Sequence, residues 1–204
     1  MTDPVRMPQE VVANAMLDLV LTVPSSSQKA VAQPATHARK IARTAARKAS
    51  LISGSLALPP GLLGWLTVLP ELFGVWKVQA QMVSDIASVY GKRGTLNREK
   101  MLYCLFKHVS AQLLRDIAVR VGERVIIRET SLKFLQTVVQ KLGAQVTTAV
   151  IGKSASRFVP LLGAMGVSAY AYFDTLQVAK NAVDLFESAV IIDAPATPSP
   201  RSDP

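Results

Sequence analysis

Apolar residues recur along this chain at helical spacing, while period-two alternation is rare and the hairpin pairs Asn-Gly and Asp-Gly do not occur. The pattern predicts a first helix near residues 9–23, with Val11, Val12, Met16, Leu19 and Val20 on one side and Pro24 with "SSSQ" ending it. Pro34 and Thr36 open a second helix, Thr36 serving as N-cap. A long apolar helix follows over about Leu62–Tyr90 and breaks at "GKRG". Asn97 caps a helix running toward His108, which "SAQLLRDIAVRVGERV" extends or restarts. Another helix begins at "TSLKFLQTVVQKLGAQ", capped by Thr130 or Ser131, and "TTAVIGKSASRF" runs up to Pro160. The last long helix covers about Leu161–Ile191, and "DAPATPSPRSDP" has the composition of a disordered tail. The expectation is an all-α fold: a single helical domain built round the two long apolar helices. Residues 1–35 form an N-terminal helix and linker, 36–192 the domain, and 193–204 the tail.

The two apolar helices resemble each other. Each shows Pro, Leu, Gly, an uncharged stretch, an acid, and a lysine six residues later, so that Glu71 and Lys77 correspond to Asp174 and Lys180. This is a pseudo-repeat. Antiparallel packing in one register sets Glu71 beside Lys180 and Asp174 beside Lys77, as two buried ion pairs. Such pairs fix register more often than they catalyse.

Uncharged Ala49–Pro70 has about the length of a bilayer span. Pro59 and Pro60 interrupt it, with Gly54, Gly61 and Gly64 around them, so a turn is expected instead. Beyond Pro70, Glu71, Lys77 and Asp85 would be costly in hydrocarbon. Two options remain for Pro59–Gly61: a hairpin buried in protein, or one dipping into a single leaflet.

Charge sharpens this picture. The chain has 204 residues, a formal net charge of +9, and only 18% charged residues against a usual value of about 25%. Its mean hydropathy is +0.28. No acid lies between Asp18 and Glu71, a stretch that holds Arg39, Lys40, Arg43, Arg47 and Lys48. With Ala38, Ile41, Ala42, Ala45, Ala49 and Ile52 opposite, these form a basic amphipathic helix suited to an anionic phospholipid surface. The plainer reading is the solvated face of a packed helix, since alanine packs well and inserts poorly. Nucleic acid is disfavoured, because no aromatic residues interleave with these cations. Trp65, Trp76, Tyr170 and Phe173 are candidates to line an apolar groove for a lipid or a membrane-protein partner.

"GLLGWLTVLPELFGVWKVQAQMVSDIASVYGK" and "FVPLLGAMGVSAYAYFDTLQVAKNAVDLFES" resemble the two signature segments of the EcsC protein family, over about residues 36–190. The first supplies glycines, Leu-Pro and an acid, Gln79 and "IASVYG"; the second supplies Pro-x-x-Gly, "YFD" and "A-x-x-x-F". Glu71 stands where Asp is the commoner residue. A more distant likeness is to YcjF-type inner-membrane domains. The resemblance implies an all-helical bacterial protein connected with membrane transport or secretion, and it carries no catalytic residues or cofactor.

Catalytic motifs are missing from the sequence. "GKSAS" lacks the first glycine of a phosphate loop, where Thr147 stands, and there is no Gly-x-Ser-x-Gly or His-Glu-x-x-His. His37 and His108 both sit beside basic residues, which argues against a metal site. Cys104, the sole cysteine, excludes an intrachain disulfide and reads as a core residue. The N-terminus does not look like a signal peptide. The leading expectation is a non-enzymatic protein on the inner, cytoplasmic face of the membrane, without cofactor. The alternatives are a soluble carrier enclosing a lipid between the two long helices, and an enzyme using Glu71 and Asp174 as carboxylates.

Overall fold

A computed structural model describes residues 6–56, 64–121, 124–154 and 160–190. The described residues form six α-helices and one small hairpin: α1 (Arg6–Leu21), α2 (Pro34–Leu56), α3 (Gly64–Val89), α4 (Arg98–Phe106), β1 (Ala118–Val121), β2 (Arg124–Ile127), α5 (Leu132–Ser154) and α6 (Pro160–Val190). The fold is mostly helical. The expected tail and the Pro59–Gly61 turn lie outside the described residues.

Three helices, α2, α3 and α6, pack against one another. In α2, Ala38, Ala42, Ala45, Ala46 and Ala49 are all buried, and their small side chains let neighbouring helices come close. α2 runs antiparallel to α3: Ser53 bonds to Glu71, and Ile52 lies against Gly74. It also runs antiparallel to α6, where Gly54 approaches Ser168 so closely that a Cβ there would lie 2.5 Å from the serine hydroxyl. α3 and α6 are therefore parallel. Val75 clusters with Ala171 and Ala49, and four residues along, Gln79 bonds to Asp174 and Thr175.

This orientation corrects the antiparallel packing expected for the two long helices. At a parallel offset of about 96 residues, Glu71 faces the level of Val167, and Lys180 lies about 13 residues, or roughly 20 Å, further along. Glu71 and Lys180 are thus too far apart to pair; Lys77 stands near the level of Asp174, but it is exposed and the aspartate oxygens are taken by His108 and Gln79. The reason is topological: α2 packs antiparallel to both α3 and α6, so those two share a direction.

α4 is the hub of the core. Met101 to Phe106 are buried on every side, the pattern of a helix enclosed by others. Asn97 is its N-cap, accepting from the Lys100 amide at 3.0 Å. Ser131 caps α5 through the Phe134 amide. α2 starts two residues before the expected cap, with Pro34 in the first helical position, where its missing N–H has no intrahelical partner to lose. α1 joins the same core through Val12, Met16 and Val20. The linker after it straps across α3: Ser84 and Arg93 both donate to the Pro24 carbonyl, and Ser26 donates to Asp85.

The hairpin replaces part of an expected helix. Ala118 pairs with Ile127 and Val121 with Arg124, leaving Gly122 and Glu123 between the strands. Two residues is the length of the tightest hairpin connections. Val119, Val121, Val125, Ile126 and Ile127 are β-branched and favour strand over helix.

Candidate functional site

The basic residues of α2 form one exposed surface. Arg39, Lys40, Arg43, Arg47 and Lys48 are all exposed, while the alanines opposite them are core. The apolar side of this amphipathic helix is thus occupied by protein.

The four charged residues expected to pair separate into two kinds. Lys77 and Lys180 are exposed. Glu71 is buried and accepts a 2.5 Å hydrogen bond from Ser53 of α2. Asp174 takes partners that the sequence did not suggest. Its Oδ1 lies 2.7 Å from His108 Nε2, and its Oδ2 accepts from Gln79 Nε2 at 2.7 Å. Gln79 also donates to Thr175 Oγ1, whose hydroxyl donates to the Ala171 carbonyl. The missed member is His108, placed just beyond the end of α4. Its signal in the sequence was weak, because a histidine flanked by Lys107 points away from carboxylate chemistry only along the chain, not in space.

This cluster is not arranged for catalysis. His108 Nδ1, the ring atom left over, is buried and has no hydrogen-bond partner among the described residues. A general base must reach a substrate proton, and this atom faces protein. Glu71 and Asp174 stand about seven residues apart in the parallel register, roughly 10 Å, and each is held by its own partner. They do not form a carboxylate pair.

The expected groove residues do not converge. Trp76 is core, packed edge-on against Phe106 with ring centroids 5.3 Å apart and near Phe73. Tyr170 and Phe173 point outward, 58% and 68% exposed, and among the described large apolar residues only Leu51, at 72%, is more exposed. Leu51 went unnoticed in the sequence because it continues an apolar run. The Trp65 side chain lies outside the described residues.

A pocket of about 240 Å³ opens between α4 and the hairpin, lined by Tyr103, Lys107, Leu114, Arg115 and Val125 among others. It is smaller than the roughly 300–1,000 Å³ of sites for drug-sized ligands, and it is not walled by α3 and α6. Cys104 is wholly buried, and burial pushes its thiol up to about 12. His37 is exposed and contacts the Gln33 carbonyl. Among the described residues no group of three or more His, Cys, Asp or Glu could hold a metal ion, and no helix is long and apolar enough to cross a membrane. No family model, curated protein or solved structure matches the chain.

Proposed function

We propose that this protein is a non-enzymatic helical module that docks on the anionic inner face of a membrane, where it can also meet a membrane-protein partner. The observation that carries the reading is the exposed row Arg39, Lys40, Arg43, Arg47 and Lys48 on a helix whose other side is core. Each basic residue near anionic headgroups contributes about 1 kcal/mol. Membership of the EcsC family and the pseudo-repeat relating α3 to α6 belong to this proposal, and both rest on the sequence segments quoted above.

Flotation with vesicles tests it. The protein should float with phosphatidylglycerol-containing vesicles, not with pure phosphatidylcholine, and release as salt shortens the screening length. Arg43→Glu with Arg47→Glu should abolish flotation; unchanged binding of that variant would end the charge argument. The carrier reading makes the opposite forecast: near-stoichiometric lipid in an organic extract of protein purified without detergent, and no flotation.

A further inference from the structure

The pocket beside the hairpin contains no residue of α2, and its lining residues are all among the described ones. Consecutive pieces of chain build its walls. The end of α4 supplies Tyr103 and, one turn on, Lys107. The turns after α4 carry Ala111, Leu114 and Arg115. Backbone bonds hold these turns: the Val109 and Ser110 amides donate to the Phe106 carbonyl, and the Ile117 and Ala118 amides to that of Leu114. The hairpin adds Ala118 and Val125. Ala118 pairs with Ile127, two residues from Val125, so both lining residues stand on one face of the sheet.

The hollow exists because small residues face it. Ala111 and Ala118 leave space that larger side chains would fill, and Tyr103 and Leu114 are buried beneath it. Two cations stand at this apolar site. Lys107 Nζ lies over the Tyr103 ring, 5.1 Å from its centroid, within the roughly 6 Å reach of a cation–π contact. The Arg115 side chain is exposed and makes no hydrogen bond or ion pair with a described residue. No acid lines the pocket; Asp116, next in the chain, is exposed and takes no part in it. An apolar cavity with two positive groups and no carboxylate is complementary to an anion that carries an apolar body.

We infer that this pocket binds a small amphipathic monoanion, a short-chain carboxylate. Its hydrocarbon lies against Leu114 and Val125, between the two alanines, and its carboxylate meets Lys107 and Arg115. The volume of about 240 Å³ sets the size: it admits one short acyl chain or a single ring and excludes a two-chain phospholipid. The two cations divide the work. A guanidinium is a planar fork that can hold both carboxylate oxygens, and an ammonium is a point charge. Each methylene removed from water adds to affinity, so chain length matters until the pocket is full. The site is independent of the membrane-docking reading, which uses the cations of α2.

Calorimetric titration of the full chain with octanoate tests it, with octylammonium, octanol and acetate as comparison probes. Octanoate should bind one to one with a Kd of about 1 mM or below. Octylammonium should bind at least about tenfold more weakly, and acetate, which lacks the chain, should not compete. Lys107→Gln with Arg115→Gln should weaken octanoate about tenfold or more and leave octanol unchanged. Ala111→Phe fills the hollow from an exposed position and should block octanoate while the melting temperature holds; should it unfold the chain, the paired glutamine variant answers the same question. Arg43→Glu with Arg47→Glu should leave octanoate binding as it is. Octanoate binding that survives the filled or neutralised pocket, or that disappears with the α2 cations, would overturn the site. Equal binding of octanoate and octylammonium would overturn the anionic class of ligand. Absence of saturable binding by any probe would overturn the pocket as a binding site and leave flotation on anionic vesicles untouched.

Discussion

His108 Nε2 lies 2.7 Å from Asp174 Oδ1, tying the end of α4 to the middle of α6, and Gln79 of α3 holds the other carboxylate oxygen at 2.7 Å. One aspartate thus joins three helices. Both side chains of this contact are mostly buried, at 18% and 14% exposure, so removing one partner leaves polar atoms poorly hydrated. Asp174→Ala should cost about 2 kcal/mol in urea unfolding. His108→Ala should cost less once Asp174 is already gone, giving a coupling of about 1 kcal/mol in the double-mutant cycle. Additive losses would show that the contact contributes nothing as a pair.

Glu99 makes a second junction, between α4 and the segment leading into α5. Its Oε1 accepts from Arg98 Nε at 2.9 Å and from the Thr130 amide at 3.2 Å, and Arg98 also donates to the Thr130 carbonyl. Burial alone would raise this carboxyl; the hydrogen bonds from Arg98 and Thr130 outweigh it and hold the group below its ordinary value of 4.5. A lowered folded value means stability that is fully present above the unfolded value and is lost as pH falls through the folded one. Glu99→Gln should therefore unfold more easily than the parent at pH 7, and the gap between them should close below about pH 4.5 in urea titrations. A gap that persists unchanged to pH 3 would contradict the ionised role.

How far the sequence discloses this fold depends on whether local or distant residues decide. Asn97 and Ser131 are legible as caps because a cap is chemistry over three residues. The alanine side of α2 is legible as a packing surface for the same reason. The hairpin at 118–127 was not: its apolar residues also fit a helical period, and only their β-branching and Gly122 argued otherwise. The direction of α6 relative to α3 was not legible at all. It is set by α2 packing antiparallel to both, a relation that involves α6, far from α2 and α3 in the chain. His108 escaped for a related reason, because its aspartate partner belongs to a helix brought in by that same packing. The exposed cations of α2 were found at once, because their i, i+4 spacing is a local pattern.

Cys104 offers a probe of the core. Its thiol is fully buried and pushed up to about 12, so at pH 8 it is protonated and shielded. The backbone around it is held as well, since Asn181 of α6 donates to the Cys104 carbonyl at 3.2 Å. Alkylation of the native protein at pH 8 should be slower than that of the urea-unfolded chain by about a hundredfold or more, tracking the opening of the core. Asn181→Leu should speed it. Equal rates for native and unfolded protein would mean that α4 is not enclosed.

The two sides of α2 can be separated experimentally, because one is core and the other is solvent. Ala46 is fully buried at the contact with neighbouring helices, so Ala46→Leu forces α2 outward and should cost about 1–3 kcal/mol by overpacking. Arg43 is exposed one turn away, and Arg43→Gln should change stability by less than about 0.5 kcal/mol. Binding to anionic vesicles should respond in the reverse order. Arg43→Gln weakens it while the melting temperature stays put, and Ala46→Leu lowers the melting temperature while folded protein still binds. A variant series in which binding simply follows stability would make the basic row an ordinary solvated face. Independent responses would establish α2 as a helix whose alanines build the protein and whose cations are left for a partner outside it.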